Sequence, residues 1–114
     1  MIMNFIQSYA IDPEVCDDLI HYYNDNVEYK TEGMIDSDRV DKNIKDSMDV
    51  NFFNSSNDFR IKNFFSALNP CIIDYVKRYN IRYAVKTYLV NNIQYYKPKG
   101  GYRELHYERS PKSS

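Results

Sequence analysis

Apolar residues recur every three or four positions in two stretches of this chain and at closer, alternating positions elsewhere, and the two rhythms predict helices and strands respectively. Val15, Leu19 and Tyr22 or Tyr23, with Cys16 and Ile20 beside them, make one stripe at helical spacing. It follows Asp12-Pro13-Glu14, an aspartate suited to an N-cap and a proline suited to the first helical position. Glu14, Asp17 and Asp18 then place negative charge at the positive end of the helix dipole, and Asn24-Asp25-Asn26 ends the helix. A longer stripe of Ile61, Phe64, Phe65, Leu68, Ile72, Tyr75, Val76 and Tyr79 predicts a second helix over 58–79. Pro70 lies inside it. Proline has no N–H and crowds the preceding turn, so a kink or break is expected near Asn69.

Between the helices, Val27 to Thr31 predicts a short strand, and residues 32–47 predict a polar loop carrying Lys42, Lys45 and Ser47. Met48-Asp49-Val50-Asn51-Phe52 alternates apolar and polar, as a half-buried strand does. From Arg82 onward the pattern changes again. Tyr83, Val85, Tyr88 and Val90, then Ile93 to Tyr96, are the β-branched and aromatic residues of paired strands. Lys97-Pro98-Lys99-Gly100-Gly101 is a turn by composition. The fold class is α+β: helices that support the start of an antiparallel sheet, in a single domain over 1–114.

Composition narrows the function classes. Fifteen basic residues against sixteen acidic ones leave a net charge of −1, which gives no broad positive field for nucleic acid or anionic lipid. Lys97, Lys99 and Arg103 among Tyr95, Tyr96 and Tyr102 resemble a stacking surface for single strands, but a solvated turn accounts for them within that neutral balance. No apolar run approaches the ~20 residues of a membrane span. Met1 to Ile6 has neither the basic start nor the long apolar core of a secretory leader. Cys16 and Cys71 stand far apart without Cys-x-x-Cys spacing, which reads as two free thiols in a reducing, cytoplasmic setting. The twelve tyrosines, against no tryptophan, suit surfaces where a ring is buried and its hydroxyl stays wet or paired.

The candidate chemistry lies near the end. His106 and Glu108 are separated by one residue, so on a strand they project from the same face. An imidazole and a carboxylate side by side supply two ligands of a 2-His-1-carboxylate site for Fe(II). Spacing alone leaves open whether the pair binds metal or is a polar end to a small domain.

The run from Asn92 to Glu108, with Tyr96, the Pro/Gly turn, Tyr102 and then His106-Tyr107-Glu108, resembles the iron-binding entry of the 2-oxoglutarate/Fe(II)-dependent oxygenases. It is most similar to the prolyl-hydroxylase-like branch in its phage and marine-microbial members. The capped helix at Asp12, the Lys45-Asp46-Ser47 segment and the long aromatic helix resemble the N-terminal support region of those members. The resemblance implies a helical support region over 1–81, the first strands of a double-stranded β-helix (jelly roll) over 82–108, and a polar tail over 109–114. It makes His106 and Glu108 iron ligands, with Glu in place of the more usual Asp. It makes Tyr96 a hydroxyl donor to 2-oxoglutarate and lets Tyr102 line the substrate mouth.

The family's second histidine ligand and its basic anchor for 2-oxoglutarate lie on later strands, and the residues after His106 supply neither. His21, the other histidine, falls mid-helix where the family has no ligand. The expectation is therefore an incomplete jelly roll, the N-terminal part of a dioxygenase with an unidentified substrate, inactive as it stands. Unpaired strands over 82–108 would favour self-association. The alternative is a small, non-catalytic α+β interaction domain.

Overall fold

The structure, a computed structural model, describes residues 4–35 and 39–105. Helix α1 spans Pro13–Asp25, strand β1 Thr31–Glu32, strand β2 Ser47–Phe53, helix α2 Phe59–Arg78 and strand β3 Val90–Tyr96. The class is α+β, with a three-stranded antiparallel open sheet in the order β1-β2-β3. Thr31 pairs with Asp49 and Glu32 with Met48. Two strands precede α2, so helices and strands are interleaved along the chain. The chain packs as two compact units: Met1–Asp25 with Phe52–Asn91, and Asn26–Asn51 with Asn92–Ser114. Among the described residues, no helix is long and apolar enough to cross a membrane.

The first unit is a helix pair. Each stripe residue of α2 from Ile61 to Tyr79 is buried or half-buried, with Ile61 fully enclosed, while Phe59 and Ile73 off the stripe stay exposed. Val15, Leu19, Tyr22 and Tyr23 form the half-buried face of α1; Cys16 and Ile20 lie outside it. Phe52 packs edge-on to Tyr22 and tilted to Phe65, with ring centroids 6.2 Å apart in both pairs.

Arg60 joins the ends of the two helices. Asp58 caps α2 by accepting from the Arg60 N–H at 2.9 Å. The Arg60 guanidinium bonds both Asp58 and Asp25, and lies 5.2 Å from the Tyr22 ring. Asp25 sits at the negative end of α1, which has no basic residue in its last turn, so Arg60 supplies the missing cation.

A strap from residue 4 to 12 runs along the last turns of α2. The Tyr75 and Tyr79 hydroxyls donate to the carbonyls of Phe5 and Ile6, and the Tyr9 hydroxyl donates to Asp74 Oδ2 at 2.7 Å. These tyrosines have the paired hydroxyls that the composition suggested. The helix closes on Asn80 in the left-handed region (φ 50°), with Ile81 N–H bonding Val76 O and Asn80 N–H bonding Lys77 O, the Schellman pattern.

Three expectations are corrected. Residues Val27–Tyr29 form a 3₁₀ turn, because Tyr29 and Lys30 N–H groups bond back to Asn26 and Val27 carbonyls; only Thr31–Glu32 pairs as a strand. Helix α2 runs unbroken through Pro70. Pro70 and Ser66 both lie on the exposed face, where water can reach the carbonyl that proline leaves without a donor, and Cys71 Sγ adds a bond to Ala67 O. Residues 82–89 hold no strand; Tyr83 and Tyr88 are more than three-quarters exposed, and the segment is tied down near its end by Leu89 O and Thr87 Oγ1 bonding Asn54. Alternation there reflects no buried face.

Asp58 carries both the cap and an ion pair, and its carboxyl is held below the usual aspartate range by the Arg60 side chain first and the Arg60 N–H second. Asp58→Ala should lower stability by about 0.5–2 kcal/mol, the usual cost of losing a cap. Asp58→Asn, which keeps a capping oxygen, should recover most of that loss. Urea unfolding of both variants checks this; equal losses would place the effect in the ion pair.

Candidate functional site

The site is built in the second unit around β2. Period-two alternation through the residues leading into and along β2 puts Lys45, just before the strand, on one face with Ser47 and Asp49, and all three are buried. The expected pattern turned both Asp49 and Asn51 outward, and of these two Asn51 alone is exposed. Asp49 is inside because partners meet it. Ser47 Oγ donates to Asp49 Oδ1 at 2.8 Å, and Lys45 Nζ lies 3.9 Å from Asp49 Oδ2. Gly33 leaves room for this row: a Cβ there would overlap Ser47 Oγ and press on Lys45 Cε. The Gly33 N–H donates to Ser47 O at 2.9 Å, holding the backbones at that close spacing.

Asp46 belongs to the opposite face, and it holds the turn that follows β3. Asp46 Oδ1 accepts from the Gly101 N–H at 2.8 Å, and Oδ2 accepts from Arg103 Nη2 at 3.1 Å. The Gly101 N–H first, and the Arg103 guanidinium second, keep this carboxyl below the usual aspartate range. Backbone bonds extend the junction. Arg103 N–H donates to Ile44 O at 2.6 Å, and Tyr102 forms an antiparallel bridge with Lys45.

The turn itself is shaped for this carboxylate. Gly100 N–H bonds Lys97 O at 2.8 Å, with Pro98 and Lys99 at the corner. Lys99 has φ 69°, and a third-position positive φ after proline is the type II arrangement. A Cβ on Gly100 would stand 2.9 Å from both Asp46 Oδ1 and Lys97 O, too close for either to remain. The composition predicted the turn; it did not predict that Asp46 closes over it.

Of the residues singled out in the sequence, Tyr96 is the last of β3 and half-buried, its hydroxyl donating to Gln94 Oε1 at 3.0 Å. Tyr102 is half-buried beside Lys45, whose Nζ lies 5.7 Å from the ring centroid. The two tyrosines flank the turn in the same unit. His106 and Glu108 lie outside the described residues. His21 is exposed on α1. Among the described residues, no group of three or more His, Cys, Asp or Glu is arranged to hold a metal ion.

The Lys45-Ser47-Asp49 row and the Asp46 clasp were missed by sequence reasoning. One signal was present: Lys-x-Ser-x-Asp at two-residue spacing, running into a strand, puts complementary groups on one face. No protein-family model, curated protein or solved structure matches the chain.

Two outcomes are expected. Gly33→Ala should cost about 1–3 kcal/mol through overpacking. Ser47→Ala should also destabilise, by stripping Asp49 of a donor, yet the double variant should lose less than the sum because the obstructing atom is gone. Additive losses in denaturant unfolding would contradict this packing. Asp46 stabilises the turn while ionised, so its contribution is present above the unfolded-state pKa and lost as pH falls through the lowered folded value. An NMR titration should find the Asp46 midpoint below that of an ordinary aspartate and moving upward in Arg103→Ala; a midpoint at the ordinary value would contradict the clasp.

Proposed function

We propose that this chain carries the iron-entry part of an Fe(II)- and 2-oxoglutarate-dependent oxygenase, with β3 (Val90–Tyr96) contributing to the first strands of a double-stranded β-helix. The observation that carries the reading is the succession of elements before His106. Strand β3 ends on Tyr96, the Pro98 turn closes, and Tyr102 returns beside β2 at Lys45. That is the strand, tyrosine, turn and aromatic order that precedes the metal histidine in the family the sequence resembles.

The donor chemistry fits. A neutral imidazole and a carboxylate suit Fe(II), and His106 and Glu108 would hold it. When bound, iron and 2-oxoglutarate supply the oxidation that inserts one atom of dioxygen into a substrate C–H bond as the keto acid loses CO₂. The Tyr96 hydroxyl would give up Gln94 Oε1 for a 2-oxoglutarate carboxylate, a donation that adds no charge. Tyr102, held by its bridge to Lys45, would stand at the substrate mouth. The remaining histidine and the basic anchor would come from other strands.

A second reading, a non-catalytic interaction domain or self-associating chain, draws on the first unit, where Tyr83, Tyr88 and Leu89 are largely exposed in a segment without regular structure.

Titration with Mn(II), an air-stable stand-in for Fe(II), separates these readings. The oxygenase reading expects weak binding that falls by ~10-fold or more in His106→Ala and weakens in Glu108→Ala. Binding that ignores His106→Ala, or no binding at all, would favour the interaction domain.

A further inference from the structure

We propose that the last turn of α2 and the segment after it form a binding surface for single-stranded nucleic acid, in which Lys77, Arg82 and Lys86 meet phosphates and Tyr83 and Tyr88 take bases on their rings. The inference stands apart from the oxygenase reading and rests on the second one, to which it gives a partner. The net charge of −1 conceals a segregation along the sequence. Asp12, Glu14, Asp17, Asp18 and Asp25 are the charged residues of the first twenty-five, and all are acidic. Between Asp74 and Glu104 the chain has seven basic residues and no acidic one. Four of the seven, Lys77, Arg78, Arg82 and Lys86, fall within the first unit. Arg78 is taken up by Asp74, and Lys77 feels the charge of the same carboxylate. Arg82 and Lys86 are exposed, and their side chains make no hydrogen bond or ion pair among the described residues.

Charge alone would suit any acidic polymer; the rings narrow the class. Tyr83 is 84% exposed and Tyr88 80%, and neither has a ring contact or a hydroxyl partner among the described residues. Base stacking needs a flat face already clear of other groups, and it accepts any base. An acidic polypeptide would use the cations and leave both rings idle. The segment is also tethered at its two ends. Behind it, Ile81 N–H closes the helix on Val76 O. Ahead of it, Asn54 bonds Leu89 O and Thr87 Oγ1, and Asn91 Nδ2 donates to Tyr88 O at 2.9 Å. A tethered segment loses less freedom on binding than a loose one. Two or three phosphate contacts are few, so the affinity belongs to the weak, salt-sensitive range of non-specific binding. The acids of α1 in the same unit add repulsion, which screening over a Debye length of about 8 Å at physiological salt confines to close approach.

The test is fluorescence anisotropy of the full chain with a labelled oligothymidylate of about ten nucleotides. Binding at low salt should weaken along a log–log slope of about −1.4 to −2.1, the counterion release of two or three single-strand phosphate contacts. Arg82→Ala or Lys86→Ala should flatten that slope by roughly 0.7. Tyr83→Ala and Tyr88→Ala should each weaken binding about fivefold or more at an unchanged slope. Tyr83→Phe and Tyr88→Phe should keep it, because the ring stacks without its hydroxyl. Oligouridylate should bind as well, since rings and cations meet features that both strands share. Tyr29→Ala, which removes an exposed ring from the other unit, should change nothing. The altered side chains are exposed, and far-UV circular dichroism checks that each variant keeps its helices. No binding at low salt, binding that ignores both tyrosine-to-alanine changes, or an equal loss in Tyr29→Ala would overturn the proposal. Polyglutamate bound as tightly as the oligonucleotide, and lost in the same variants, would overturn the nucleic-acid assignment while leaving the interaction-domain reading intact.

Discussion

A carboxylate removed from water must be matched, and Asp49 on β2 imposes that condition on the second unit. Ser47 meets one of its oxygens, and Lys45, two residues before the strand begins, faces the other from the same side of the chain. With these positions filled by polar groups of fixed size, the neighbouring chain has to approach with no side chain, and Gly33 does so. Lys45 is in turn fixed by its role in the row, which places its backbone for the bridge to Tyr102. The next residue points the other way and becomes the clasp on Gly101 and Arg103. One buried charge thus organises both faces of a strand and, through them, the turn beyond β3.

The same logic on a smaller scale runs through the helix pair. Asp25 and Asp58 are both acidic, one at an unfavourable helix end and one at a favourable one. A single arginine answers both, and its plane also covers the Tyr22 ring. Asp74 likewise accepts from Tyr9 and pairs with Arg78, so the strap and the helix share a charge. Such pairs are worth little each at an exposed surface. Their use here is to fix which segments meet, while Ile61 and the ring cluster supply the apolar burial.

What the sequence made legible follows from how local each signal is. The cap at Asp12 and the stripes of both helices are short-range patterns, and the helices fall within a residue or two of expectation. The Pro/Gly turn at 97–101 was legible for the same reason. Strand assignment failed where it depended on a partner. Val27 to Thr31 and 82–89 have strand-forming residues, but pairing is a long-range event, and nearby carbonyls or solvent took the backbone groups instead. Pro70 misled in the opposite direction, since its cost depends on whether the freed carbonyl is dry, and exposure is not written in a local pattern. The candidate site divided along the same line. The Tyr96–turn–Tyr102 order was visible, whereas Asp46 reaching Gly101, fifty-five positions away, was not.

A turn without fixed contacts is expensive to order, because fixing each residue costs about 1–2 kcal/mol of backbone entropy. The turn after β3 meets that cost through its own contacts. Strand β3 enters the turn as a paired element, and the turn is closed by its own hydrogen bond and then by the acidic side chain that immediately precedes β2. Lys99 is forced into a left-handed conformation to achieve this, a strain of roughly 1–2 kcal/mol that glycine at that position would avoid. Two glycines follow immediately, at 100 and 101, so the strained residue is not placed there for want of glycine in the turn. Gly100 is needed where the carboxylate presses in, and the φ at Lys99 delivers the backbone to that point. Strain accepted next to a clasp shows which contact governs the turn: Lys99 adopts the conformation that lets the backbone at Gly100 and Gly101 meet the Asp46 carboxylate.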